Sequence, residues 1–246
     1  MKEFPNNTSP NSEKGEDKLE RSQVKEGVDF VFEQIPELAK IGSKEQYSKY
    51  LNAIFPDSKL NNIVYHGTNI DSYNKILKEG FDLNKSGGNL GYMGKIASFF
   101  TIRGFTKNFE SGAVVSSLVN IKSKYIDNSG NLTEEGLNTV KQKLVDLDII
   151  PFVNSVEELN QGIVLTNNIR FEKARDTIRL INYLFTWIDN PQDTFNSILK
   201  ELNIEGLKRN DEVVDMLSTD KIHVLGSDQD IENFKKFVEN DLDLPV

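Results

Sequence analysis

The run Ile63-Val64-Tyr65-His66-Gly67-Thr68 does most to constrain what this chain can fold into. Ile63 and Val64 are β-branched and Tyr65 is aromatic, so the run reads as a buried strand. Asn61-Asn62 before it and Thr68-Asn69 after it carry loop chemistry. The strand ends in one of the chain's two histidines. There a ring nitrogen, a backbone amide with no side chain above it and a hydroxyl come together, which suits a polar ligand with several hydrogen-bonding edges.

Around this strand the chain reads in segments. Residues 1–22 are Asn, Ser, Lys and Glu with few large apolar groups, and are expected to form a disordered polar tail. Residues 23–60 read as a helical preface. Val28, Val31, Phe32, Ile35 and Leu38 recur at helical spacing, and Ser43-Lys44-Glu45-Gln46 fits a capping box ahead of Tyr47, Tyr50, Leu51 and Ile54. Residues 61–246 form the main domain. After the His66 strand, Asp71 can cap a helix that ends at Gly80 as its C′ residue. The glycine-rich run 86–94 reads as a loop beside the site. It lacks the spacing and the Lys-Ser/Thr ending of a phosphate-binding loop.

Ile96 to Thr101 and Ala113 to Ile121 read as strands. Thr133 to Leu147 and Asn168 to Ile188 read as amphipathic helices, and Pro191 opens another. This helix-rich part, about 127–203, is expected to be an insertion, either a recognition element or bulk. Asp211 to Met216 and Ile222 to Leu225 read as short strands, and Ser227 caps a last helix.

Composition excludes several classes. With no cysteine there are no disulfides, thiolate chemistry or cysteine metal sites. A formal charge of −9 argues against a nucleic-acid-wrapping surface. No apolar run approaches the ~18 residues of a membrane span. Two histidines far apart give no zinc pattern, and no metal is expected. No Gly-x-Ser-x-Gly elbow is present.

The residues also carry a resemblance. Val64-Tyr65-His66-Gly67-Thr68, then Gly80-Phe81, Gly94, Ser98-Phe99-Phe100-Thr101 and Ile222-His223-Val224-Leu225-Gly226-Ser227 resemble the ADP-ribosyltransferase fold with an H-Y-E type site. The likeness is closest to such domains in phage and mobile-element proteins. It runs in patches from about Phe32 to Val238 and is weak between Asp127 and Asn203. It implies an α+β fold of two small, mostly antiparallel sheets forming a split β-sandwich around an NAD cleft. It also implies a cytoplasmic, bacterial or phage-encoded enzyme.

Such an enzyme breaks the ribosyl–nicotinamide bond of NAD through an oxocarbenium-like transition state and passes ADP-ribose to a macromolecular acceptor, protein foremost. The resemblance gives each residue a role. His66 hydrogen-bonds a ribose hydroxyl, the Gly67 backbone takes the nicotinamide carboxamide, and Thr68 helps on the ribose. Phe99 stands where the family has tyrosine and offers a face for stacking on nicotinamide, with Phe100 then turned into the core. Phe109 is a second candidate aromatic. Glu212, in Glu212-Val213-Val214, is the candidate catalytic carboxylate, with Asp211 and Glu205 as alternatives. Counting back from Ile222, the position falls on Val213 instead, and a one-residue insertion near Ser218 and Thr219 restores Glu212. The sequence lacks the Glu-x-Glu pair of arginine-modifying relatives, since Asn210 stands there. His223 reads as structural. The alternatives are a catalytically inactive binding or virion-associated module, and an NAD glycohydrolase with water as acceptor.

Overall fold

The computed structural model describes residues 24–85, 95–109, 112–150, 153–161, 164–165, 169–170, 180 and 190–242. The expected polar tail and the glycine-rich run 86–94 lie outside these residues.

The preface is helical but broken. Its first helix, α1 (Val28–Gln34), stops at Ile35, and α2 (Leu38–Ile41) starts two residues past Pro36. Proline has no N–H to give and its ring crowds the preceding turn, so one continuous helix to Ala39 does not form. Helix α3 (Lys44–Ile54) begins with the full capping box. Gln46 N–H donates to Ser43 Oγ at 3.2 Å and Ser43 N–H donates to Gln46 Oε1 at 2.9 Å.

Strand β1 (Val64–Asn69) leads straight into α4 (Ile70–Glu79). The cap of α4 is Asn69, whose Oδ1 accepts from Ser72 N–H at 2.8 Å, rather than Asp71. Gly80 closes the helix with φ +80°, where a side chain would be strained. Strand β2 (Ala97–Phe100), a 3-10 segment (Arg103–Phe109) and β3 (Gly112–Val119) follow. Then come α5 (Glu134–Asp146), α6 (Val156–Gln161), β4 (Val164–Leu165), β5 (Ile169–Arg170) and α7 (Pro191–Glu201). The helix expected over 168–188 is not continuous: β4 and β5 pair as a short ribbon, Leu180 is helical and buried, and the rest lies outside the described residues. The chain ends with β6 (Gly206–Lys208), β7 (Val213–Met216), β8 (Ile222–Val224) and α8 (Asp228–Leu242).

The main strands form one six-stranded antiparallel sheet in the order β6-β7-β2-β1-β3-β8. The architecture is therefore α+β, with one main sheet, beside the short β4–β5 ribbon, where two small sheets were expected. The reason is local: β1 is hydrogen-bonded on both edges, to β2 and to β3, and so joins what would be two halves.

Alternation along β1 sorts the two cores. Ile63 and Tyr65 face α1, α3 and α8 and pack with Val31, Tyr47, Leu51 and Phe234. Val64 faces the other way, into a second core with Phe99, Val119, Val214 and Met216. That core is closed by Val140 and Leu144 of α5 and by Phe195, Ile198 and Leu199 of α7. The segment 127–203 thus supplies a whole layer of the fold. The helices of this layer carry apolar stripes that would otherwise face water.

A buried polar knot ties α8 to the rest. Asp230 is fully buried. Its Oδ2 accepts from Tyr47 Oη–H at 2.6 Å and from Gly226 N–H at 2.8 Å, and its Oδ1 lies 2.6 Å from His223 Nε2. Ser227 caps the helix, accepting from Asp230 N–H at 3.2 Å. Among the described residues no helix is long and apolar enough to cross a membrane.

Candidate active site

The site is built on the seam between β1 and β2. These strands pair through Tyr65↔Phe100 alone, whereas β1 keeps six pairs with β3 and β2 keeps four with β7. Thr101 N–H donates to Glu212 O at 2.8 Å, so Thr101 turns its backbone groups toward the β7 side. By alternation the backbone groups of Phe100 and Ser98 turn toward β1. In an unbroken ladder the Ser98 carbonyl would accept from Gly67 N–H. Here His66 Nδ1 takes that carbonyl instead, at 2.9 Å. The Gly67 N–H and C=O point to the same side as those of Tyr65. The β1–β2 ladder has no pair at Gly67.

The His66 bond sets the chemistry of the ring. A carbonyl oxygen only accepts, so Nδ1 carries the proton and Nε2 of the neutral ring is a hydrogen-bond acceptor. Burial pushes the His66 pKa below its ordinary 6.5, and the Ser98 carbonyl offsets part of that. The ring stands edge-on to Phe81, 5.2 Å between centroids, and 5.9 Å from Phe99. Because the folded value lies below the unfolded one, the unfolded chain binds the extra proton more readily as pH falls. Stability is complete above 6.5 and falls as pH drops through the lowered value. Denaturation midpoints measured between about pH 7.5 and about pH 5 should fall with pH in the wild type, and His66→Gln should flatten part of that slope.

Phe99 lies on the His66 face as expected, but it, and not Phe100, is the one sunk in the core. Phe99 is 0 % exposed and packs against Phe81 at 5.1 Å, while Phe100 is only half-buried. Register and the covering helices explain the burial. Phe99 sits opposite Val214 on the face covered by α5 and α7, and Phe100 sits opposite Val213 on the other face. Thr68 is half-buried opposite Ala113. Phe109 ends the 3-10 segment, and its side chain lies outside the described residues.

The three candidate carboxylates separate clearly. Since Val214 pairs with Phe99 and Tyr65 with Phe100, the register puts position 212 on the same face as Val214, Phe99 and His66. Glu212 is exposed there, at the start of β7, with its N–H held by Asn210 Oδ1 at 2.9 Å. Val213, the other position that counting allowed, belongs to the opposite face. Asp211 is fully exposed, 3.8 Å from Lys208 Nζ. Glu205 is level with Leu217, whose N–H donates to its carbonyl at 2.8 Å, and shares the face of Leu207 and Asp215, away from His66.

A further cluster escaped the sequence reading. Asp215, 1 % exposed, accepts from Ser98 Oγ–H at 2.6 Å and from Arg209 Nη2–H at 3.4 Å. Arg209 Nε lies 2.8 Å from the other carboxylate oxygen, an ion pair too bent for a hydrogen bond. Burial pushes the Asp215 pKa up, and Arg209 and Ser98 pull it back. The signal was present: a carboxylate inside Val213-Val214-Asp215-Met216-Leu217 cannot be buried without a partner. Among the described residues no group of three or more His, Asp or Glu is placed to hold a metal.

Comparison of the chain with protein-family models, with curated proteins and with solved structures finds no match.

Proposed function

We propose that the chain binds NAD at the β1–β2 seam and transfers its ADP-ribose to a macromolecular acceptor, most naturally a protein. The observation that carries this reading is the interrupted ladder. Beside His66 it turns one backbone donor and one backbone acceptor of Gly67 toward a stretch of β2 with which β1 forms no ladder pair, and such a pair of edges suits a primary carboxamide. Nicotinamide carries such a group.

The chemistry follows from what the residues offer. The Gly67 N–H and C=O hold the carboxamide, and His66 Nε2 accepts from a ribose hydroxyl. The bond between the anomeric carbon and the nicotinamide nitrogen breaks, and its electron pair leaves with neutral nicotinamide. Glu212 stabilises the positive charge left on the ribose. A lone pair of the acceptor then closes on the anomeric carbon, and the acceptor loses its proton to solvent.

A second reading is favoured by one observation: Phe99 is fully buried, so its ring offers no free face for stacking in this conformation. In that reading the chain is a catalytically inactive binding module on the same fold. Nicotinamide release from NAD by the purified protein, with cell lysate supplying acceptors, separates the two. Release that depends on the lysate and that Glu212→Gln abolishes supports transfer, release without lysate means that water is the acceptor, and NAD binding with no release supports the binding module.

A further inference from the structure

We propose that Asp215, acting through Ser98, is a positioning residue for His66 that fixes which of its ring nitrogens carries the proton. Its functional meaning rests on the NAD reading above; its geometry does not.

The connection crosses three strands. Ser98 is opposite Asp215 in the β2–β7 ladder, and its hydroxyl donates to Asp215 Oδ1 at 2.6 Å. The carbonyl of the same Ser98 accepts from His66 Nδ1–H at 2.9 Å. The β1–β2 ladder has no pair at Ser98, and on that side the imidazole meets its carbonyl. The direction of this carbonyl is set by the β2–β7 ladder, in which Ser98 is paired with Asp215, and the hydroxyl–carboxylate bond ties the same two residues through their side chains. Arg209 in turn holds Asp215, with Nε 2.8 Å from Oδ2.

Stability alone does not account for a carboxylate at this place. A buried ion pair gains little net energy over apolar residues of similar size, and the neighbours of Asp215 along β7 are Val214 and Met216. What the pair does supply is orientation. With the carbonyl fixed, Nδ1 must be the donor and Nε2 must be the acceptor. With the side-chain tie lost and the strand pairing loosened at Ser98, the carbonyl shifts from Nδ1, and the ring can take the opposite tautomer and would then present a donor where the ribose hydroxyl is to donate.

The test is imidazole ¹⁵N NMR on the ligand-free protein. The two histidines are told apart with a His223→Gln variant. Wild type is expected as the Nδ1–H tautomer at His66. Ser98→Ala, which keeps the carbonyl and removes the side-chain tie, and Asp215→Asn should each shift the tautomer ratio toward Nε2–H by roughly tenfold, what one ordinary hydrogen bond is worth. Ser98→Thr, which restores a hydroxyl, should return the wild-type spectrum. An unchanged Nδ1–H signal in Ser98→Ala overturns the proposal, even if Asp215→Asn fails to fold. A tautomer shift in a protein that releases no nicotinamide keeps the proposal and removes the transferase reading. Release by wild type with no tautomer shift in either variant does the reverse.

Discussion

Replacing Glu212 by Gln is expected to slow nicotinamide release by about 100- to 1,000-fold, the usual cost of removing one electrostatic contact to a developing charge. NAD affinity should change by no more than about threefold, because an amide of the same shape keeps ground-state contacts. The fold gives the variant little else to disturb. Glu212 is exposed, and the described bonds at this residue are made by its backbone, from its N–H to Asn210 Oδ1 and from its carbonyl to Thr101. Surface substitutions of this kind stay within about 0.5 kcal/mol in stability. Single-turnover release and equilibrium NAD binding, measured side by side, check the split. An equal loss of binding and rate would mean that Glu212 holds the substrate rather than the transition state.

Asp230→Ala is expected to have the largest effect on stability. The substitution leaves the buried Tyr47 hydroxyl, the Gly226 N–H and His223 Nε2 without their shared acceptor. Breaking a buried, hydrogen-bonded carboxylate site costs about 3–5 kcal/mol. For a chain of this size that corresponds to roughly 10 °C in Tm. Tyr47→Phe removes one arm of the knot and should cost only about 1 kcal/mol. Denaturant midpoints for the two variants check the ordering. Equal costs would show that the tyrosine, not the carboxylate, is the anchor joining α3 to α8.

Local chemistry made part of this fold legible. The β-branched and aromatic residues of β1, the capping box at Ser43, the Gly80 stop, Pro191 in the first turn of α7 and Ser227 as cap of α8 are all decided within a few residues, and the structure has each of them. Long-range pairing hid the rest. Alternation says that Phe99 and Phe100 face opposite ways, but which of them is buried depends on α5 and α7, which pack from far along the chain. One sheet rather than two depends on a single pair, Tyr65↔Phe100.

The same holds for the site. His66 and Gly67 stand out as a polar stretch at the end of an apolar run, and the roles given to them come from the resemblance. Which of positions 212 and 213 shares the His66 face is set by the partner strand, because one residue of slip moves the carboxylate to the other face. Asp215 is hidden in the sequence because Val213, Val214, Met216 and Leu217 mark a strand whatever residue stands among them. Its partners, Ser98 and Arg209, come from β2 and from the turn between β6 and β7.

The central claim places NAD at the β1–β2 seam, and a titration of ¹⁵N-labelled protein with NAD, read at the Gly67 amide and the His66 ring nitrogens, tests it most directly. The account predicts saturable shifts at both, with His66 Nε2 moving as its lone pair accepts a hydrogen bond and Nδ1 staying protonated. Saturation that leaves Gly67 and His66 unmoved, or no saturable shift anywhere in the spectrum, would contradict it.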